Sequence, residues 1–503
     1  MAPNSAKKFN PFQFLSFSGP YKILHMTWFA FFLTFMAWFN MAPLAAAIKG
    51  DLNLSDSDIK VLMICNVALT IPARIIIGML LDKFGPRKVY SGLLIIMSIP
   101  CFVFAMSTTF TQLVITRLLM GVIGAGFVIG IRMVAEWFPP KDVGEAEGIY
   151  GGFGNFGSAA SAFLLPTIAL NVFGGENGWR YSIALTGAMC FIYGFIYFAN
   201  VTDTPPGKTY TRPKRSSAME VTSMASLYGL IFMQLPMLLA LGVLAWKLYT
   251  IGFLPTQGKH VTYGVLAAVF CFQAWKAWTV NVPRIKEGYS EKDKYEFRQV
   301  AILDVAYFVT FGSELAVVSM LPLFFMRTFD LTLQQAGMIG ATFAFMNLFA
   351  RPMGGFLSDR LGSRRKTLSF LLGGLAVGYY LMSSITSEWP IPVAIGATML
   401  CSFFVQAGEG AVFAVVPLVK KRVTGQVAGM VGAYGNVGAV CFLTVFSLLP
   451  KETAAQNFFL TISGCAIFCL IVSLFLKEPK GSFADAHHDE VEPEGTAATG
   501  ATS

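Results

Sequence analysis

Apolar residues run through this chain in unbroken blocks of about 20 or more, parted by short polar pieces that hold most of the charge. Blocks of that kind predict membrane-spanning helices and exclude a β-barrel, whose spans alternate apolar and polar residues over about ten positions. Helices are predicted near 24–47, 58–82, 88–109, 112–138, 145–170 and 180–201, and again near 300–326, 333–359, 366–386, 390–419, 425–449 and 456–476. Two more apolar runs, Ser223 to Tyr249 and Val261 to Val280, lie between these sets, parted by a polar piece around Gln257 to His260. The expected architecture is therefore all-α and polytopic, with fourteen helices. An N-terminal segment (1–23) precedes a six-helix bundle (24–201), central loops with an inserted two-helix hairpin (202–299), a second six-helix bundle (300–476) and an acidic tail (477–503). Lys276, inside the second run of the insert, leaves open a hairpin lying on the membrane surface.

Composition agrees with immersion in lipid. The chain has 503 residues, 55% hydrophobic and only 13% charged, with a mean hydropathy of +0.61. Its net charge of +9 is a matter of topology and does not point to nucleic acid. With helices alternating sides, 25 of the 37 Lys and Arg fall on the side of the N-terminus, seven on the other and five inside spans. That bias predicts cytoplasmic termini in a cell inner membrane. Lys214 and Arg215 before the hairpin, and Arg284, Lys286, Lys292, Lys294 and Arg298 after it, fit two inserted spans. All eight cysteines lie in apolar runs and read as small buried hydrophobes; no cofactor or metal is implied. The run from Leu24 to Ala47 is too long for a cleavable signal and reads as the first span. The tail from Lys480, with Asp485, Asp489, Glu490, Glu492 and Glu494, is expected to be disordered, and His487 and His488 within it to be solvated.

Two repeats change this picture. Arg74 and Arg351 stand inside spans, each eight residues before an aspartate, in stretches related by an offset of 277: Gly78 to Lys88, with Asp82, Gly85 and Arg87, and Gly355 to Arg365, with Asp359, Gly362 and Arg364. An arginine at the centre of a membrane helix costs about 2.5 to 3.5 kcal/mol even on a lenient scale. No acid stands one helical turn from either. Two at matched depth suggest a shared anion site. A second offset, 281, aligns Gly144 to Gly157, containing Gly151, Gly154 and Asn155, with Gly425 to Gly438, containing Gly432, Gly435 and Asn436. Glycines spaced by three and four give a flat strip for helix contact, and the asparagine adds an amide that packing does not need. Arg132 and Glu136, four residues apart, can neutralise each other, and Arg117 reads as a structural ion-pair member.

The two loop stretches match the motif G-x-L-x-D-x-x-G-x-R-K, so the chain resembles the major facilitator superfamily. Arg117 to Gly124 is similar to that superfamily's fourth-helix motif. With the paired arginines and paired Gly-Asn blocks, the chain more narrowly resembles the nitrate/nitrite porter family. The resemblance implies two bundles around a central anion site that opens to each side in turn. It places the anion between Arg74 and Arg351, near Asn155 and Asn436, with Phe127, Tyr307 and Phe311 at the positions of the family's aromatic residues. It makes Asp82, Arg87, Asp359 and Arg364 gate residues.

A guanidinium offers two parallel N–H donors to a planar anion, and two opposed guanidiniums would outweigh its charge. Flat aromatic walls would favour a planar anion over tetrahedral phosphate. Asp304, Glu314 and Glu409 are the remaining carboxylates in the spans considered for proton transfer, with Glu314 first and Glu409 second. The expectation is a monomeric carrier importing nitrate or nitrite with protons. Electroneutral nitrate/nitrite exchange, another small anion as substrate, or an anion channel are the rivals. No nucleophile elbow, metal cluster or phosphate loop suggests an enzyme.

Overall fold

Ser55 and Thr332 open helices in the same way. Each hydroxyl accepts from the N–H three residues on, and that residue's side chain bonds back to the cap's own N–H. They stand 277 residues apart, the offset that relates Arg74 to Arg351. The computed structural model describes residues 15–212, 218–250, 252–291, 293–450, 453–479 and 481–484. Among them the regular elements are all helical, and the α-helices run as follows. The first half holds α1 (Gly19–Trp38), α2 (Ala45–Asp51), α3 (Asp56–Ala68), α4 (Thr70–Phe84), α5 (Pro86–Met106), α6 (Phe110–Met120), α7 (Gly126–Trp137), α8 (Val143–Thr167) and α9 (Gly178–Asn200). The insert holds α10 (Met224–Thr250) and α11 (Thr256–Glu287). The second half holds α12 (Phe297–Phe329), α13 (Leu333–Phe345), α14 (Asn347–Arg360), α15 (Arg364–Ser383), α16 (Ile391–Val419), α17 (Thr424–Leu448) and α18 (Ala454–Ser473).

The second span of each half is broken, at Leu69 between α3 and α4 and at Met346 between α13 and α14, again 277 apart. At the first break Trp38 Nε1 donates to Asn66 O at 2.9 Å, and Thr70 Oγ1 donates to Gly121 O at 2.7 Å. These bonds satisfy carbonyls that the interrupted ladders release. The motif loops after α4 and α14 turn on Gly85 and Gly362, both with positive φ, where a side chain would be strained.

Twelve described helical stretches are long and apolar enough to cross a membrane, ten of them in the repeated halves and two in the insert. Helices also stand at the two remaining repeat positions, 333–360 and 364–383. Some boundaries differ from expectation. The first apolar stretch runs from Gly19 to Asp51, but its regular helix α1 ends at Trp38, where Asn40 turns inward to bond Thr186 Oγ1 and Arg117 and Pro43 follows. Helix α11 runs past 261–280 at both ends, starting after Pro255 and stopping at Gly288, whose φ is +88°.

Residues 481–484 of the tail lie against the gate loops. Ser482 is 3% exposed, its carbonyl accepts from Arg364 Nη2 at 3.0 Å, and Lys141 N donates to Ala484 O at 3.3 Å. Asp485, His487, His488, Asp489, Glu490, Glu492 and Glu494, and the flanking Lys214, Arg215 and Lys292, lie outside the described residues.

The two halves meet through exchanged pairs: α8 of the first packs on α14 of the second, and α17 of the second packs on α4 of the first. Glycines make this close approach feasible. A Cβ on Gly148 would lie 2.8 Å from Arg351 O, and one on Gly429 would lie 2.6 Å from Arg74 O.

Candidate anion site

Both repeat arginines point inward, Arg74 being 0% and Arg351 1% exposed. Each stands five residues beyond the break in its span, and they converge on one ring. Arg74 Cζ lies 5.6 Å from the Phe127 centroid, and Arg351 Cζ lies 5.1 Å from it. Arg74 also sits 5.3 Å from the Phe311 centroid. Aromatic faces attract cations, so the plate holds together two charges that would otherwise repel.

Phe127 on α7 stacks with Tyr307 on α12 at 6.3 Å and 2°, and Tyr307 stacks with Phe311 at 5.1 Å and 4°. Phe413 of α16, not anticipated, stands edge-on to both Phe127 and Tyr307, at 4.6 and 4.8 Å. Tyr150 was also missed; its hydroxyl donates to Phe127 O at 2.9 Å. Phe413 lies four residues beyond Glu409 on one helix face, a spacing that could have revealed it.

The arginines differ in their partners. Arg351 Nη1 donates to Glu409 Oε2 at 2.5 Å, and Nη2 donates to Tyr307 Oη at 3.1 Å. Arg74 Nη1 donates to Gly432 O, Nε donates to Gly124 O at 3.4 Å, and Nη2 has no protein acceptor among the described residues. The lack of a local acid therefore did not leave Arg351 unpaired: Glu409 arrives from another helix. The expected surplus of two positive charges is reduced to one. Arg117 takes Trp38 O and Asn40 Oδ1, at 3.2 Å, as acceptors, so it binds neutral groups and is no ion-pair member among the described residues. Arg132 does pair with Glu136, at 2.8 Å.

A polar string crosses between the halves beside this site. Asn155 Nδ2 donates to Asn347 Oδ1 at 3.5 Å, Asn347 Nδ2 donates to Glu314 Oε1, and Gln406 Nε2 donates to the same oxygen at 3.4 Å. Glu314 acts on Glu409 through its charge and a carboxyl–carboxyl hydrogen bond, and Glu314 Oε2 and Glu409 Oε1 meet no other donor among the described residues. Asn347 and Gln406 were missed, although they stand four residues before Arg351 and three before Glu409. Among the described residues Asn436 bonds within its own helix, Nδ2 donating to Gly432 O at 3.4 Å. Asp304 is buried with both oxygens unpartnered among the described residues, and lies near Tyr434, outside this string.

The glycine strips divide in two. Gly151 abuts Arg351, where a Cβ would overlap Nε, and a Cβ on Gly432 would stand 3.2 Å from Arg74 Cδ. Gly154 abuts Phe31 of its own half, and Gly435 abuts Phe311 and Tyr307. Toward the motif loops, Asp82 accepts from Gly425 N and Gln426 N, both at 2.9 Å. Asp359 accepts from Gly144 N at 3.1 Å and Glu145 N at 2.6 Å. Each carboxylate thus caps the N-terminus of a helix from the opposite half, where the helix dipole favours negative charge. The repeat is imperfect here. Arg364 binds Asp359 at 2.6 Å, whereas Arg87 binds Asp203 through its backbone N–H at 2.7 Å and Phe198 O through Nε at 2.8 Å. Burial raises the Asp203 carboxyl above its ordinary range, and the Arg87 N–H bond opposes that shift.

The profile of the Major Facilitator Superfamily matches residues 27–287 and 303–498. The chain belongs to that superfamily. It is 52% identical to the nitrate/nitrite transporter NrtP of Picosynechococcus, over 95% of this chain and 96% of that one. It is 50% identical to the nitrate/nitrite transporter NrtP of Nostoc punctiforme, over 96% and 97%. These identities bear out the narrower resemblance to the nitrate/nitrite porter family. The crystal structure of the human organic anion transporter MFSD10 is similar in fold, with a TM-score of 0.60 at 15% identity over 91% of this chain and all of that one.

Proposed function

We propose that this superfamily member carries nitrate and nitrite into the cell by alternating access, coupled to protons, as a monomer in the inner membrane. The observation that carries the reading is the convergence of Arg74 and Arg351, from opposite halves, on the single ring of Phe127. A planar monovalent anion matches the one uncompensated charge and the Nη2 of Arg74, which meets no acceptor among the described residues. The stacked rings of Phe127, Tyr307 and Phe311 give it flat walls, and Asn155 and Asn436 are the further candidate contacts. The names of the relatives at 50% and 52% identity point to the same substrates.

The basic excess on the motif-loop side assigns that side, with both termini, to the cytoplasm. The capping of α8 and α17 by Asp359 and Asp82 then acts as a cytoplasmic gate, with Arg364 bracing it. Import against an inside-negative potential costs about 2.3 kcal/mol per 100 mV for each anion, so at least two protons per anion make uptake favourable. Glu314 and Glu409, which act directly on each other, are the leading pair to share and release protons, and Asp304 is the third candidate.

The test is uptake of labelled nitrate into proteoliposomes without internal anion, with and without an inward pH gradient. Accumulation that follows the gradient is expected. Uptake only when nitrite or nitrate is trapped inside would replace symport by exchange.

A further inference from the structure

Glu147 lies on α8 beneath the anion site and belongs to none of the groups above. It is 1% exposed, and neither of its carboxyl oxygens meets a donor among the described residues. Its position follows from its neighbours on one helix face. Gly151, one turn onward, touches Arg351 Nε. Gly144, nearly one turn back, gives its N–H to Asp359. The carboxyl group therefore stands between the Arg351 guanidinium and the gate, about 5 Å along the axis from each level.

Packing does not require an acid here. Under the offset of 281 the matching residue is Ala428, in a strip that presses on Arg74 just as the first presses on Arg351. A buried carboxyl without a partner is far costlier when ionised than when neutral. So the side chain holds its proton while the halves are closed over it. The charges acting on it come from Arg351 and Asp359 of α14; Glu409 of α16 pairs with Arg351, and Glu145 and Tyr150 are the other titratable groups on its own helix. Tyr21 of α1 faces Glu145, about half a turn toward the gate.

We propose that Glu147 is a proton-binding site of the transport cycle, placed to discharge toward the gate. When α14 moves off α8, water enters between them and the carboxylic O–H bond breaks. The proton passes to cytoplasmic water, and Arg351 neutralises the carboxylate left behind. When the halves next open to the outer side, a proton from that side reloads the carboxylate, so each cycle carries one proton inward. This deepens the proton-coupled reading and rests on it.

The experiment measures protons moved per nitrate, using a pH dye inside proteoliposomes and an inward nitrate gradient as the driving force. The wild-type chain is expected to move protons with nitrate. Glu147→Gln should still pass nitrate down its gradient, with the proton ratio reduced at least twofold, while Glu147→Asp keeps the ratio. A wild-type ratio in Glu147→Gln overturns the role of Glu147 and leaves proton coupling standing; no proton movement in the wild type sinks the coupling itself. If Glu147→Gln passes no nitrate, Glu147→Ala, which copies the other half, decides. Nitrate flux with a reduced ratio supports the site, and no flux assigns Glu147 to packing and overturns it.

Discussion

Arg351 donates to Glu409 across 2.5 Å in a buried pair, whereas Arg74, its repeat partner, has no carboxylate within ion-pair distance among the described residues. Removing the Glu409 charge leaves a second uncompensated guanidinium facing the anion. Glu409→Gln is expected to bind nitrate about tenfold more tightly, a gain of about 1.4 kcal/mol, and to release it more slowly. Calorimetric binding together with initial uptake rates checks this; unchanged affinity with unchanged turnover would refute it.

The fork of Arg74 matters beyond its charge. Arg74→Lys keeps a cation but loses the planar pair of donors and the contact with Phe127 and Phe311. Nitrate affinity should fall at least tenfold while the purified protein keeps its melting temperature within a few degrees. Binding measured beside a thermal scan separates loss of recognition from loss of fold.

Gly151 and Gly432 occupy matching places, but their surroundings do not have the same slack. A methyl group on Gly151 would overlap Arg351 Nε, which Glu409 and Tyr307 hold in place, while one on Gly432 would meet Arg74 Cδ at 3.2 Å. Gly151→Ala should reduce uptake more than tenfold, and Gly432→Ala only a few-fold. Equal losses in a side-by-side uptake assay would contradict the asymmetry.

The gate can be watched directly. Asp359→Asn removes a charge that accepts two backbone N–H groups and Arg364, worth about 1.5 to 3 kcal/mol for each bond to a charged group. Spin labels at Lys88→Cys and Lys366→Cys, both exposed, should report a longer distance in that background. A distance unchanged from the parent would mean that Asp359 does not latch the halves.

The first residues of the tail pack on the arginine that braces Asp359. Glu478 accepts from the N–H groups of Arg364 and Arg365, and Phe483 lies 5.3 Å from Arg364 Cζ. Deleting 485–503 should leave uptake near the parental rate, and deleting 478–503 should lower it and lengthen the spin-label distance. Identical behaviour of the two truncations would remove the tail from the gate.

Much of this was legible in the sequence because duplication prints itself twice. The offset of 277 found Arg74 with Arg351 and Asp82 with Asp359, and it holds for capping boxes and helix breaks that hydropathy alone does not mark. Phe127, Tyr307 and Phe311 were found through resemblance, and they form one stack. What escaped were relations between helices. Nothing local to Arg351 announces Glu409, 58 residues away, and nothing local to Glu314 announces Asn347, 33 residues away. The expectation of matched halves also concealed their differences, such as Arg87 leaving Asp82 for Asp203.

Because the carbonyl of Arg74 is covered by Gly429, and that of Arg351 by Gly148, damage to one copy of the duplication is felt across the seam in the other. Genetic suppressors of a bulky change in α17 should therefore cluster in α4, some 350 residues upstream, and those of a change in α8 should cluster in α14, leaving the immediate sequence neighbourhood bare.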